Sequence, residues 1–170
     1  MGVQLVLQAL QVGGRVDGVV GVGGLYKVDK VVKEYQSAAA KSQDVILDDS
    51  RESFGVAEST GTWKRASEYD PSGYDIIPRG LIESFIAPEN QLLLPIPFDG
   101  PMTLMHGLKD TTVPFDQAIQ AAIEAVTSSV VQVRLVKDGD HRLSSERELE
   151  VLADAVAEVV KKVSVVLTQE

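Results

Sequence analysis

The sequence has 170 residues, a length that suits a single domain of the usual ~100–200 residues. Its formal net charge is −9 and it has no basic cluster, so we do not expect nucleic-acid binding, which depends on neutralising phosphates. The absence of cysteine excludes disulfides, thiolate zinc sites and a cysteine nucleophile. No run of apolar residues reaches the ~18 of a membrane span, so no transmembrane segment is predicted.

The first quarter of the chain predicts a helix, a strand and a second helix. An apolar stretch from Val3 to Leu10 predicts a helix that Gly13 and Gly14 end. This helix begins without a lead-in or a cap residue, which suggests that sequence is missing upstream. Valines predict a strand buried on both faces over Val16–Val22, and apolar residues at helical spacing predict a helix over Val28–Lys41.

Residues 42–95 are expected to form an excursion from the main sheet. The polar segment 42–72 carries the only tryptophan, Trp63, and a short hairpin of Phe54–Val56 with Thr62–Arg65 is predicted there. Asp75 is then typical of a helix N-cap, with Pro78 in the first turn of the helix. The apolar residues expected on this helix are Ile76, Ile77, Leu81, Ile82, Phe85 and Ile86.

The second half alternates strands and helices. Met102–Met105 predicts a strand ended by His106 and Gly107, and Pro114 is expected to open a helix. Val130–Val136 predicts the next strand, and Ser145 with Glu148 has the spacing of a capping box for the last helix. The apolar stripes expected on these two helices are Phe115, Ala118, Ile119, Ala122, Ile123 and Val126, and Leu149, Leu152, Val156, Val159 and Val163.

This alternation predicts an α/β fold with about three parallel strands and flanking helices. In such sheets function gathers just beyond the carboxyl ends of the strands, where the loops carry Asp110 and His141. A carboxylate beside an imidazole fixes the imidazole tautomer and stabilises the imidazolium, which is the work of a hydrolytic triad. The alternative is that both are ordinary polar residues of loops, and spacing alone favours this alternative.

Two motifs carry a resemblance to a known family. The segments His106–Pro114 and Val136–Ser144 resemble the C-terminal half of an α/β-hydrolase, and are most similar to the mitochondrial palmitoyl-protein thioesterases and acyl-glucuronide esterases and their bacterial relatives. Arg15–Val22 and Tyr74–Glu83 are similar to further segments of that group. The resemblance implies that Asp110 is the triad acid and His141 the triad base. It leaves the cytoplasm and the mitochondrial matrix as the compartments to consider.

The family's nucleophile is a serine in a G-x-S-x-G motif, and this sequence contains no such motif. If Met1 and Gly2 are the tail of the motif, the serine would precede Met1, and the backbone N–H of Met1 would contribute to the oxyanion hole. Ser144 and Ser145 lie near His141 in sequence but are expected to cap the last helix. We therefore expect a partial hydrolase domain over residues 1–170 that is inactive alone.

Three other features have alternative interpretations. His106 is expected to be structural and bonded to loop backbone, the alternative being a metal site with Asp110 and His141. The glycines of residues 21–24 could cradle a phosphate, although the full phosphate-binding pattern is missing. The aromatic residues of the excursion could form a lid over an acyl chain or pack the excursion onto the sheet.

Two functions from different classes thus compete. The first is a serine hydrolase acting on a small-molecule or lipid-acyl ester or thioester, including protein depalmitoylation, with no cofactor and no metal. The second is a non-catalytic truncated or pseudo-enzyme domain that acts in binding or assembly. An exposed sheet edge along the strand Val16–Val22 would favour self-association in either case.

Overall fold

The computed structural model describes residues 2–27, 32–33, 36–37, 45–46, 62–67 and 70–168. The chain divides into two compact units, one made of Met1–Lys27 with Leu92–Glu170 and the other of Val28–Gln91. The described helices and strands, in chain order, are α1 (Gly2–Gln11), β1 (Val19–Val22), β2 (Val45–Ile46), β3 (Thr62–Ala66), β4 (Tyr74–Pro78), α2 (Arg79–Ile86), β5 (Met102–Gly107), α3 (Asp116–Glu124), β6 (Val131–Val136) and α4 (Glu146–Leu167).

The first unit contains the predicted parallel sheet. Its strand order is β1-β5-β6, with Val19 opposite Met102 and Gly107 opposite Val136. The α/β fold expected from the sequence is confirmed, although β1 begins at Val19 rather than Val16. Strand β5 lies in the middle and every one of its residues is buried, including His106 and Gly107 at its end.

Each face of this sheet packs against helices, because alternate strand residues point to opposite faces. On one face α1 and α3 cover Val19, Met102 and Leu104. On the other face α4 contributes Ala155, which packs with Met105 and, beyond the strands, Leu143. The central strand is therefore shielded on both sides, and the carboxyl ends of β5 and β6 are held at one edge of a rigid layer.

The apolar stripe predicted for α3 is wrong in part. The buried residues of this helix are Ala118 and Ala121, whereas Ile119 and Ile123 are exposed. The helix also begins at Asp116, and Phe115, its N-cap residue, is largely exposed. Where a helix packs closely against a sheet, only small side chains fit between them. The alanines of α3 therefore face the sheet, and the larger isoleucines do not.

The stripe predicted for α4 is also wrong in part. Val159 is buried and Leu152 packs against the core as predicted, whereas Leu149 and Val156 are exposed and Ala155, outside the predicted stripe, is buried. The beginning of this helix follows the prediction, because the main-chain N–H of Ser145 donates to the Glu148 carboxylate at 2.8 Å. The N–H of Glu148 donates in return to the Ser145 hydroxyl at 3.4 Å, which completes the capping box.

The loop after β1 is fixed by a side chain of α3. The Gln117 amide oxygen accepts hydrogen bonds from the main-chain N–H groups of Lys27, at 2.8 Å, and of Tyr26, at 3.3 Å. Tyr26 is buried and its hydroxyl has no hydrogen-bond partner among the described residues. Burial, with a smaller contribution from the Glu124 carboxylate, raises the pKa of Tyr26 to about 12.

The second unit contains an antiparallel sheet of order β2-β3-β4, followed by α2. The helix predicted from Asp75 onward is wrong in its first turn, since Tyr74–Pro78 is a strand that pairs along β3, with Trp63 opposite Ile77. Aromatic and β-branched residues favour such a pleated pairing over a helix. The second part of the predicted helix is confirmed, because Arg79–Ile86 is helical and buries Ile82 and Phe85. The helix begins only at Arg79, so Pro78 is its N-cap and not part of its first turn.

Two predictions fall outside or only partly inside the described residues. Of the helix predicted over Val28–Lys41, the structure describes residues 32–33 and 36–37, which are helical. Phe54–Val56, the first strand of the predicted hairpin, lies outside the described residues, and β3 pairs instead with β2 and β4.

None of the helices that the structure describes is long and apolar enough to cross a membrane.

Candidate active site

The loops that follow β5 and β6 are joined to one another by main-chain hydrogen bonds. Leu108 N–H donates to the carbonyl of Val136, and Lys109 N–H donates to the carbonyl of Gly139, both at 2.9 Å. These bonds continue the pairing of β5 with β6 beyond the ends of the strands. The segments that carry Asp110 and His141 are therefore held at a fixed separation by the backbone itself.

Gly107 makes this close approach possible. A Cβ atom at this position would lie 2.5 Å from the carbonyl oxygen of Asp140 and would also collide with the carbonyl oxygen of Gly139. Main-chain atoms cannot move aside as the end of a flexible side chain can. Any larger residue at position 107 would consequently push the two loops apart.

Asp110 is held by its own turn. One carboxylate oxygen, Oδ1, accepts hydrogen bonds from the main-chain N–H groups of Thr112 and Val113, each at 2.8 Å. A short acidic side chain that bonds to the backbone two and three residues ahead is a common way to close a tight turn. The side chain of Asp110 has no exposed surface, so its second oxygen, Oδ2, also needs partners inside the protein.

The loop that presents His141 is built by the same device. Asp140 Oδ1 accepts the main-chain N–H groups of Arg142, at 2.8 Å, and of Leu143, at 3.1 Å. Leu143 has φ +45°, a left-handed conformation that costs a branched residue roughly 1–3 kcal/mol. Its side chain is buried against Met105 and Ala155, and this packing offsets the strain.

Asp110 and His141 meet as the sequence predicted. His141 Nδ1 lies 2.9 Å from Asp110 Oδ2, a hydrogen-bond distance, and about a third of the His141 side chain is exposed (32%). Because a carboxylate only accepts hydrogen bonds, Nδ1 is the ring nitrogen that carries the proton. Nε2 is then the nitrogen through which the ring can accept a proton, which is the arrangement of a general base oriented by an acid.

His106 forms a third part of the cluster. Its Nε2 lies 3.0 Å from the same Asp110 Oδ2 and 2.8 Å from the carbonyl oxygen of Val113. The side chain is completely buried, and its Nδ1 has no hydrogen-bond partner among the described residues. The expectation that His106 bonds to loop backbone is therefore met at Val113, and the contact with Asp110 comes in addition.

A charged pair bridges the two loops at the surface. Lys109 Nζ lies 2.8 Å from Asp138 Oδ1, and both side chains are largely exposed. The hydrogen bond from Lys109 and its positive charge hold the pKa of Asp138 below its ordinary value. Exposed pairs of this kind contribute little to stability, so the main-chain bonds are what keep the loops together.

The glycines at the end of β1 and just after it are explained by close packing. Gly23 has φ +54°, and a Cβ there would lie 2.9 Å from the carbonyl oxygen of His141. A Cβ on Gly21 would meet Val3 of α1 at 2.7 Å, and a Cβ on Gly24 would collide with the same valine. Gly23 therefore supports the His141 loop, a contact that sequence reasoning missed although the position of the glycine at a strand end pointed to close approach.

Met1, Ser145 and the alternative metal site remain from the sequence predictions. Met1, the expected oxyanion donor, lies outside the described residues. Ser145 caps α4 through the capping box described above. Within the described ranges no group of three or more His, Asp or Glu side chains is arranged to hold a metal ion.

The sequence has curated relatives, although no protein-family model matches it. It is 30% identical over 148 residues to the mitochondrial palmitoyl-protein thioesterase ABHD10 of mouse, a match that covers 86% of this chain and 45% of that protein. The human protein of the same name is 31% identical over 112 residues. The chain thus spans about half the length of the curated relatives it matches.

Solved structures give the same relationship. Alpha/beta hydrolase domain-containing protein 10 from mouse superposes with a TM-score of 0.67 at 26% identity, over 94% of this chain and 58% of that one. A protein from Agrobacterium vitis S4, described as a candidate hydrolase, has a TM-score of 0.65 at 21% identity and supports the fold alone. The named relatives support a hydrolase function at the level of the family. Over the part of the sequence that these relatives match, the chain is related to the α/β-hydrolases and shares their fold.

Proposed function

We propose that this chain carries the acid and the base of a serine hydrolase that cleaves carboxylic esters or thioesters. Asp110 is the acid and His141 is the base. The observation that supports this best is the 2.9 Å contact between His141 Nδ1 and the fully buried Asp110 carboxylate. A buried carboxylate that accepts two main-chain N–H groups is fixed in place, so it can fix the imidazole in turn.

The reaction needs a nucleophile that these 170 residues do not supply in the family's usual form. The sequence has no G-x-S-x-G segment, the strained turn that exposes the serine Oγ in α/β-hydrolases. We propose that the serine lies on a segment outside these 170 residues, and that the backbone N–H of Met1 contributes to the oxyanion hole. His141 would accept the serine proton during attack and return it to the leaving group.

The names of the relatives support a substrate class for this proposal. These relatives are named palmitoyl-protein thioesterases, so a long-chain acyl thioester, including that of a palmitoylated protein, is the substrate we propose here. The segment 42–95 is proposed as a lid-like excursion. In support, residues 28–91 form a separate compact unit with an antiparallel sheet of its own, inserted between β1 and β5 in the sequence.

Hydrolysis of p-nitrophenyl acyl esters and of an acyl thioester tests this proposal. The 170-residue chain alone should show no turnover above background, since losing the triad serine costs about 10⁶ in turnover. A longer protein, with the upstream reading frame restored and containing the G-x-S-x-G segment, should be active. In that protein His141→Ala should abolish turnover and Asp110→Asn should lower it by about 10⁴-fold.

Asp138→Asn is the matched control for this assay. It makes the same chemical change as Asp110→Asn, on the neighbouring loop, at a largely exposed carboxylate that pairs with Lys109. It should leave turnover near the wild-type value. Robust hydrolysis by the 170-residue chain, lost on replacing one of its own serines, would overturn the assignment of the nucleophile.

Association through β1 is a second candidate function. Within the described part of the chain β1 has a single strand neighbour, β5, so its other edge offers main-chain groups for pairing. Three of its four residues are valine, and none is charged. A chain that works by assembly instead of catalysis would use this edge.

A further inference from the structure

We propose that His106 is a positioning residue for the Asp110–His141 pair, acting as a hydrogen-bond donor that fixes Asp110 Oδ2. This inference rests on the proposed function for its catalytic meaning. Its structural content, the direction and the effect of one hydrogen bond, can be tested separately in the 170-residue chain.

The direction of the bond follows from the two neighbours of His106 Nε2. The carbonyl oxygen of Val113, at 2.8 Å, and Asp110 Oδ2, at 3.0 Å, are both acceptors. A ring nitrogen placed between two acceptors must carry the proton, so Nε2 is the donor. Nδ1 is buried with no partner among the described residues, which disfavours a second proton there.

The carboxylate of Asp110 consequently faces four N–H groups. Oδ1 accepts the main-chain N–H groups of Thr112 and Val113, and Oδ2 lies at hydrogen-bond distance from His141 Nδ1. His106 Nε2, which is hydrogen-bonded to Val113 O, lies 3.0 Å from the same Oδ2. A carboxylate has about four acceptor sites, so this set fills them. Rotation of the carboxyl group about its bond to Cβ would break all four interactions together.

The four donors differ in how firmly they are held. His106 is part of strand β5, whose residues are all buried, whereas His141 lies on a loop and is partly exposed. A donor on a buried central strand is a more rigid reference point than a donor on a loop. His106 thus contacts Oδ2 from the buried side of the carboxylate, and His141 contacts the same oxygen from the side nearer the solvent.

The same N–H group also joins the two ends of the Asp110 turn. It lies within hydrogen-bond distance of Val113 O, while the N–H of Val113 donates to Asp110 Oδ1 at 2.8 Å. His106 therefore contacts both the carboxylate and the residue that closes the turn around it. Loss of the donor should loosen the carboxylate without removing the apolar packing of the ring.

Two near-isosteric substitutions distinguish the role of the His106 N–H donor from that of the size and shape of its side chain. His106→Gln keeps an N–H near the position of Nε2, and His106→Met has the same chain length and no donor. His106 and His141 are the two histidines of the chain, so each variant leaves a single imidazole to observe. Nitrogen-15 correlation spectra of the ring report which nitrogen is protonated, and the Nδ1 proton reports its bond to the carboxylate.

In the wild-type chain we expect His106 to be protonated at Nε2, and the Nδ1 proton of His141 to be shifted downfield and slow to exchange with water. His106→Met should move that proton toward the position of an ordinary imidazole and speed its exchange at least about tenfold, because a loosened carboxylate holds it less well. His106→Gln should retain the wild-type signal.

Several results would overturn the inference. Protonation of His106 at Nδ1 instead of Nε2 in the wild-type chain would do so without any variant, which covers the case in which His106→Met fails to fold. Equal His141 signals in the Gln and Met variants, both with native amide dispersion, would also overturn the inference. Failure of the hydrolase proposal would leave the inference standing, since these spectra need no turnover.

In an active longer protein, the same pair gives a kinetic readout. His106→Met should lower kcat by about tenfold or more with KM unchanged, because a misplaced base slows the chemical step without altering substrate contacts. His106→Gln should restore most of the loss. A rise in KM alone in His106→Met would contradict a role through Asp110.

Discussion

Asp110→Asn is expected to destabilise the isolated chain strongly, whether or not the chain is an enzyme. Four N–H groups face the carboxylate, two on each oxygen, and an amide offers one acceptor oxygen in place of two. Whichever way the amide is turned, two donors face its NH₂ group. The His141 ring can adapt by moving its proton to Nε2, but His106 Nε2–H cannot adapt, because it still faces the carbonyl of Val113.

The cost follows from these bonds. Hydrogen bonds to a charged group contribute about 1.5–3 kcal/mol each, and a neutral one about 1 kcal/mol. Losing two charged bonds and gaining one neutral bond amounts to a loss of about 2–5 kcal/mol in the free energy of unfolding. That is a large part of the ~5–15 kcal/mol that an ordinary domain has in total.

Urea unfolding followed by circular dichroism measures the effect, with Asp138→Asn as the control. Asp138 lies on the adjacent loop and its carboxylate is largely exposed, so the control should unfold near the wild-type midpoint. Ring spectra of Asp110→Asn should also show the His141 proton moved from Nδ1 to Nε2. A free energy of unfolding within about 0.5 kcal/mol of wild type, the range of an ordinary surface change, would refute the convergence of four donors on Asp110.

Two further predictions concern other parts of the first unit. The pKa of Tyr26 is raised by burial to about 12, so the stability that its neutral form contributes is complete below pH ~10 and is lost as pH rises to about 12. The difference between absorbance titrations of wild type and Tyr26→Phe should have its midpoint near pH 12, and a midpoint near pH ~10 would contradict the burial of the hydroxyl. Because β1 has one strand neighbour in the described part of the chain, the isolated chain should self-associate at roughly tens of micromolar, and a monodisperse monomer in sedimentation would count against this.

The sequence predicts the parallel sheet and the meeting of Asp110 with His141 for one physical reason. Strands that run in the same direction end at the same side of a sheet, so the residues following β5 and β6 must lie close together. Valine-rich strands and the alternation with helices are enough to establish that arrangement. The capping box of α4 is similarly local, since Ser145 and Glu148 bond only to each other's backbone.

The spacing of apolar residues along a helix does not by itself determine which face of the helix is buried. Helix α3 has two neighbouring rows of apolar residues, one of alanines and one that includes Ile119 and Ile123. Helical spacing fits either row, and hydrophobicity favours the isoleucines. The distance between helix and sheet decides the matter, and here it admits the small side chains Ala118 and Ala121.

The strand Tyr74–Pro78 was missed because its partner could not be identified from the sequence. Asp75 before two isoleucines and a proline fits the start of a helix as well as an edge of a sheet. Pairing with Thr62–Ala66 settles it, and that pairing is a contact across a turn containing Gly73, which has φ +80°. Local propensity was evenly balanced, and the tertiary contact decided the outcome.

The contact of His106 with Asp110 could not be predicted for a related reason. A separation of four residues indicates a contact on a helix, but His106 ends a strand, where such residues lie far apart. The chain reverses after Gly107, where Asp110 N–H donates to the Gly107 carbonyl at 3.2 Å, and this turn brings the carboxylate back over the imidazole. This turn requires a glycine at position 107, because the loop after β6 leaves no room for a side chain there.

The hydrogen bonds described above that hold the acid and the base come from β5, β6 and the loops that follow them, and Ala155 of α4 adds packing against Leu143. Oδ1 of Asp110 is bound by its own turn, Oδ2 by His106 of β5, and the His141 loop by Asp140 and the buried Leu143. Apart from Gly23, which packs against the His141 loop, none of these contacts involves β1 or residues before it. The geometry of the pair should thus be present in the 170-residue chain even where turnover is absent, which is why stability and ring spectra can test the site before any nucleophile is identified.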